Sequence, residues 1–308
     1  MLALLAPGQG AQTPGFLTPW LEDSSARALV ESWSILTELD LIHLGTLADA
    51  DVIRETSHAQ PLLVAAGLIS CMQTFAGEEI SFGYFAGHSV GEITAAALAQ
   101  CIDGDTALNL VNIRGRAMSA AAAGSNTGMS AVLGGEREVV VAALAALGLT
   151  PANENGGGQI VAAGALAALS LLAENPPTGA RVRPLQVSGA FHTSVMQPAL
   201  VKLADAAGKI IVSDPVAPVI SNRDGDAITH GDELIARIVG QVSAPVRWDL
   251  CMKTLADKGV TGVIEVAPGG TLTGLVKRAQ PGIEFFAIKT PEDIEGARLF
   301  ARSHGGAR

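Results

Sequence analysis

Short apolar runs of strand length alternate with longer stretches of helical period along most of this chain. Residues 2–6 are five consecutive apolar positions and are expected to form a first buried strand, closed at once by Pro7-Gly8-Gln9-Gly10. A helical stretch follows at 60–75, a strand at 80–86, and helices at 91–100 and 105–123. Further along, helices are expected at 192–207, 233–241 and 245–258, with strands at 219–221, 262–266 and 284–288. Strands that are apolar on every residue need cover on both faces, so this alternation predicts a parallel sheet between helical layers.

Between the Gly/Ser/Asn turn at 124–128 and residue 188 the pattern changes to shorter elements. Strands at 129–133, 149–153, 159–163 and 181–187 are interleaved with helices at 136–147 and 165–174, which is the order of a ferredoxin-like unit. The chain is therefore read as a body made of 1–124 and 189–308, interrupted by a small subdomain at 125–188.

Composition narrows the class. With 48% hydrophobic and 16% charged residues and 35 glycines in 308 positions, the chain suits a close-packed α/β protein. Its longest apolar stretch, 161–173, falls short of the ~20 residues that span a bilayer, so no membrane segment is expected. No basic segment precedes the first apolar run, and the three cysteines form no paired framework, so a cytoplasmic setting is expected. Thirty acidic against twenty basic side chains give a formal charge of −10 with no basic, aromatic-rich run, which argues against a nucleic-acid partner. No Cys/His/carboxylate spacing suggests a metal, and no cofactor is expected.

Candidate chemistry centres on Gly87-His88-Ser89-Val90-Gly91, a G-x-S-x-G motif lying where a strand gives way to a helix. In that context Ser89 is a nucleophile on a tight turn, and the helix N-terminus aims N–H groups at a developing oxyanion. The competing reading is a helix-capping serine in a plain turn. A serine needs a base, and His192, in Ser188-Gly189-Ala190-Phe191-His192-Thr193, sits at the right kind of strand-to-helix edge, although it could merely open a helix. His88 is expected to orient the turn, while His43, His58, His230 and His304 read as surface residues. Gln9, in the early Gly-rich loop, could offer a second oxyanion N–H beside that of Val90. A dinucleotide loop is a poorer reading, because Thr13 stands where a third glycine belongs. Arg114 lies among Leu110, Val111, Ile113 and Met118, where its fork could hold a carboxylate or lie along the surface.

These segments, in this order, resemble the malonyl-CoA:acyl carrier protein transacylases and the acyltransferase domains of polyketide synthases. The marks are P-G-Q-G-A-Q at 7–12, G-H-S-V-G-E at 87–92, Arg114-Gly115, A-N-E-N-G-G-G-Q at 152–159, A-F-H at 190–192, Gln241 with P-V-R-W at 245–248, and G-G-T-L-T-G-L at 269–275. The resemblance implies an α/β-hydrolase-like body carrying a ferredoxin-like subdomain. It implies Ser89 as nucleophile, His192 as base, and Gln9 and Val90 N–H groups as the oxyanion hole. The histidine would be oriented by a main-chain carbonyl near Gln241 rather than by an aspartate. Expected substrate contacts are Arg114, Phe191, Met118, Gln241 and Asn155, with Arg114 on the malonyl carboxylate and the Phe191 ring disfavouring an α-methyl group. Malonyl-CoA and an acyl carrier protein would be the partners of a monomeric enzyme. Two rivals stay open: a serine esterase, including a form with Asp224 of Asp224-Gly225 as base, and a non-catalytic carrier-binding module.

Overall fold

The computed structural model describes residues 1–187 and 189–305; residue 188, expected to close the subdomain, lies outside the described residues. Strand β1 (Leu2–Ala6) is buried at all five positions. Alternation sends Leu2, Leu4 and Ala6 into the larger apolar core and Ala3 and Leu5 into a second core on the opposite face. Helices α1 (Ser24–Thr37), α2 (Leu41–Thr46), α3 (Ala50–Arg54) and α4 (Thr56–Phe75) follow. β2 (Tyr84–Gly87) leads to α5 (Gly91–Leu98) and α6 (Gly104–Ala122). The strand expected at 80–86 thus begins four residues late, because only from Tyr84 onward do its residues pair with β1.

The next segment gives β3 (Thr127–Gly134), α7 (Arg137–Ala146), β4 (Thr150–Gly156), β5 (Gln159–Ala165), α8 (Leu166–Glu174) and β6 (Ala180–Pro184). They make an antiparallel sheet in the order β6-β3-β5-β4. Val132, Ile160 and Ala162 on one face pack with Leu144 of α7 and Leu172 of α8, while Met129, Val161 and Ala163 on the other join the main core.

Beyond residue 188 come α9 (Gln197–Ala207), β7 (Val219–Ile220), β8 (Ala227–Ile228), α10 (Gly231–Gln241), β9 (Val246–Arg247), α11 (Trp248–Asp257), β10 (Gly262–Glu265), α12 (Thr271–Ala279), β11 (Glu284–Ala287) and α13 (Ile294–His304). The main sheet has the order β11-β10-β1-β2-β7-β8, parallel except for β8. Two expected helices start well after their patterns do. The one at 192–207 begins only with a 3-10 turn at Ser194–Met196, because His192 is left-handed (φ 60°) and the Thr193 side chain accepts from Val195 N. The one at 245–258 loses its start to β9, which pairs parallel with β4, so the second sheet borrows a strand from outside 125–188. His304 also departs from its expected surface position: it sits on α13 against the Phe300 ring and contacts Thr261 Oγ1 at 3.0 Å.

Candidate active site

The elbow is built at the C-terminal end of β2, beside the loop that leaves β1. A Cβ at Gly87 would lie 1.9 Å from the Gly91 carbonyl oxygen, and one at Gly91 would lie 2.2 Å from that of Ala6. Both positions are thus closed to any side chain by backbone on the far side. Between them Ser89 takes φ 54°, a left-handed conformation that a non-glycine residue holds only when its surroundings enforce it. Asn222, just beyond β7, does the enforcing: its Oδ1 accepts from Ser89 N at 2.7 Å and its Nδ2 donates to Gly87 O at 2.8 Å.

Ser89 Oγ lies 2.7 Å from His192 Nε2, and His192 Nδ1 lies 2.9 Å from the main-chain oxygen of Gln241. A carbonyl only accepts, so Nδ1 carries the proton and Nε2 is left to accept from the serine hydroxyl. The geometry therefore joins Ser89, His192 and the Gln241 carbonyl into one relay without a carboxylate. His192 is 4% exposed, and burial together with the Arg114 charge pushes its pKa down to about 3. The imidazole is accordingly neutral at neutral pH, with its Nε2 lone pair on the serine hydroxyl.

Arg114 is not a surface residue. It is 1% exposed on α6, donating to Gln60 Oε1 at 2.7 Å, Gln241 Oε1 at 2.9 Å and Ser89 Oγ at 3.1 Å. Burial lowers its pKa to about 10, so the guanidinium stays charged. Its buried Nε has no hydrogen-bond partner among the described residues.

A cavity of about 710 Å³ opens onto Ser89, with Gln9, Val90, Met118, Asn155 and Phe191 in its walls. The Gln9 side chain is tied to Arg54 O and Thr56 Oγ1, which fixes the loop carrying its N–H. Val90 directly precedes α5, at the positive end of that helix. Asn155 Oδ1 accepts from His88 Nε2 at 2.8 Å, tying β4 to the elbow, and the His88 ring meets Trp248 edge-on. Asp224, the alternative base, is held by Arg237 at 2.7 and 2.8 Å and makes no hydrogen bond to Ser89.

Three contributors carry no sequence expectation: Gln60, Asn222 and Glu92. Glu92 stands in the elbow segment itself, yet nothing in a motif says that its carboxylate is buried with Asn222 N on Oε1 and Gln241 Nε2 on Oε2. For Asn222 the available signal is its place just past the end of a buried strand, where ligand-facing residues of parallel sheets collect.

The acyl transferase domain model matches residues 4–293. The malonyl CoA-acyl carrier protein transacylase of Mycobacterium tuberculosis is 48% identical over 300 residues, covering 96% of this chain and 98% of that protein. The chain belongs to the malonyl-CoA:acyl carrier protein transacylase family. The crystal structure of the M. tuberculosis transacylase superposes with a TM-score of 0.92, covering 97% of this chain and 99% of the other. A further transacylase structure, solved in complex with its type II polyketide synthase acyl carrier protein, is 28% identical with a TM-score of 0.90 over 97% of this chain and 99% of that one. Among the described residues no helix is long and apolar enough to cross a membrane.

Proposed function

We propose that this chain transfers a malonyl group from malonyl-CoA to the phosphopantetheine thiol of an acyl carrier protein through an ester on Ser89. The observation that carries this reading is the convergence of the Arg114 guanidinium and the His192 imidazole on one serine oxygen, 3.1 and 2.7 Å away. A simple esterase needs the second of these contacts; the first suits an acyl group that ends in a carboxylate.

His192 Nε2 takes the Ser89 proton as Oγ attacks the thioester carbon. The resulting oxyanion is met by the Gln9 and Val90 N–H groups, and the CoA thiolate leaves with the proton returned by His192. The carrier thiol then reverses the sequence, with His192 again as base. Every proton moves through His192, and no step calls on a metal or redox group. Arg114 holds the malonyl carboxylate and so turns the ester away from water. Phe191, in the cavity wall and 6% exposed, crowds the α-carbon and favours malonyl over methylmalonyl.

A basic rim supports an acidic carrier despite the net charge of −10. Arg181, Arg183, Lys277 and Arg278 are all exposed. Arg183 pairs with Ala131 and Ala131 with Val161, so that row of the sheet runs from the open edge strand to the cavity wall. Arg278 reaches the same cavity from α12. The role is supply of extender units for fatty acid or polyketide synthesis in the cytoplasm.

The deciding experiment supplies malonyl-CoA and a phosphopantetheinylated carrier and follows both by mass. Malonylated carrier with parallel double-reciprocal lines is expected. Malonate release at the same rate without carrier would make the protein a hydrolase instead.

A further inference from the structure

Glu92 is 1% exposed on the first turn of α5, and none of the acylation steps uses it. Burial raises its pKa, while the Asn222 N–H, the Arg114 charge and the Gln241 amide pull it back. Both of its oxygens accept N–H groups and neither donates, which is the pattern of an ionised carboxylate, and an ionised group so buried beside a reacting serine calls for a task.

Its contacts supply one. Asn222 N donates to Oε1 at 2.6 Å and the Gln241 side-chain nitrogen donates to Oε2. The same Gln241 nitrogen faces Ser89 O at 3.2 Å and Asn222 Oδ1 at 3.1 Å, while Gln241 Oε1 accepts from Arg114 at 2.9 Å. An amide has two orientations here. Turned over, Gln241 would set its oxygen against three acceptors and its N–H groups against the guanidinium. The Glu92 carboxylate is the strongest of those three acceptors, so it does most to keep the Gln241 oxygen on Arg114.

We propose that Glu92 is a positioning residue for substrate selection: through the Gln241 amide it holds the Arg114 guanidinium against Ser89, where the acyl carboxylate is read. This rests on Arg114 as the carboxylate-binding group of the proposed reaction. In Glu92→Gln the residue can donate as well as accept, the Gln241 amide is free to turn, and Arg114 loses one of its two amide anchors.

The test measures acylation of Ser89 by malonyl-CoA and acetyl-CoA in Glu92→Gln, with Arg114→Ala as reference. Glu92→Gln is expected to lower the malonyl-to-acetyl ratio of kcat/KM about 10- to 100-fold, the range for one charge-assisted hydrogen bond, with the malonyl KM carrying most of the change. Gln241→Leu deletes the amide and leaves the main-chain carbonyl used by His192. It is expected to lose the ratio in the same way, which keeps the test open should Glu92→Gln not fold. An unchanged ratio in these variants, or an equal loss for both substrates, overturns the proposal while Arg114→Ala still loses selectivity. An unchanged ratio in Arg114→Ala overturns the carboxylate role on which it rests.

Discussion

Gly91→Ala places one methyl group where the elbow has no room. The new Cβ would stand 2.2 Å from Ala6 O and 2.9 Å from both Ala6 C and Pro7 O, all backbone atoms of the central strand and the loop after it. Ordinary contact needs about 1 Å more, and no flexible side chain is there to yield, so α5 and β1 must part. Overpacking of this kind costs about 3 kcal/mol, the upper end of its usual range. For 308 residues an unfolding entropy of about 2.1 cal/mol/K per residue converts that to a drop of about 5 °C in Tm. The same displacement carries Val90 N–H and Ser89 away from the line joining His192 to the substrate, which is expected to slow acylation about a hundredfold. Gly240→Ala is the control. Nothing lies within 4 Å of a Cβ there, and a helical alanine is expected to stabilise by about 0.5 kcal/mol. The assay is a thermal melt paired with the rate of adduct formation from malonyl-CoA. A Gly91→Ala protein melting within about 1 °C of the parent and acylating at the parental rate would refute the close-packed elbow.

His192 has its pKa held below the ordinary histidine value by burial and Arg114, so the unfolded chain binds the extra proton first as pH falls. Stability is then lost as pH drops below about 6.5, by about 2 kcal/mol between pH 7 and pH 5, and denaturant melts should show this slope shrinking in His192→Asn. Glu92, raised by burial, acts in the opposite sense in both proteins and leaves the difference intact. Phe191→Val should raise methylmalonyl relative to malonyl acylation roughly tenfold; an unchanged ratio would remove the ring from the selection. Reversing the rim with Arg181→Glu and Arg183→Glu should raise the KM for an acidic carrier, more at low salt than high, and leave malonyl adduct formation on Ser89 alone. A carrier KM that does not move would place docking elsewhere.

What could be read before the structure was whatever depends on local pattern. The all-apolar Leu2–Ala6 run, the strand and helix order of the inserted segment, and the tight elbow around Ser89 each announce themselves in a few consecutive residues. Contacts set by chain segments far apart did not. Val246-Arg247 looks helical until β4 offers it a ladder, and His192 looks like a helix start until its φ of 60° aims the ring at Ser89. The helices of the 24–54 segment went unseen because α2 and α3 are short and α1, though longer, buries only the narrow stripe Ala26, Val30, Trp33 and Thr37. The buried network is the extreme case. Gln60, Asn222 and Glu92 come from α4, the end of β7 and α5, and each is an ordinary polar residue until folding closes them around Arg114 and Gln241.

Whether Ser89 carries the acyl group is read by intact-protein mass spectrometry after brief mixing with malonyl-CoA. The wild-type protein is expected to gain one malonyl mass that disappears when phosphopantetheinylated carrier is added, while Ser89→Ala gains none. An adduct of the same size and rate on Ser89→Ala, or none on a wild-type protein that still malonylates the carrier, would exclude an ester on Ser89.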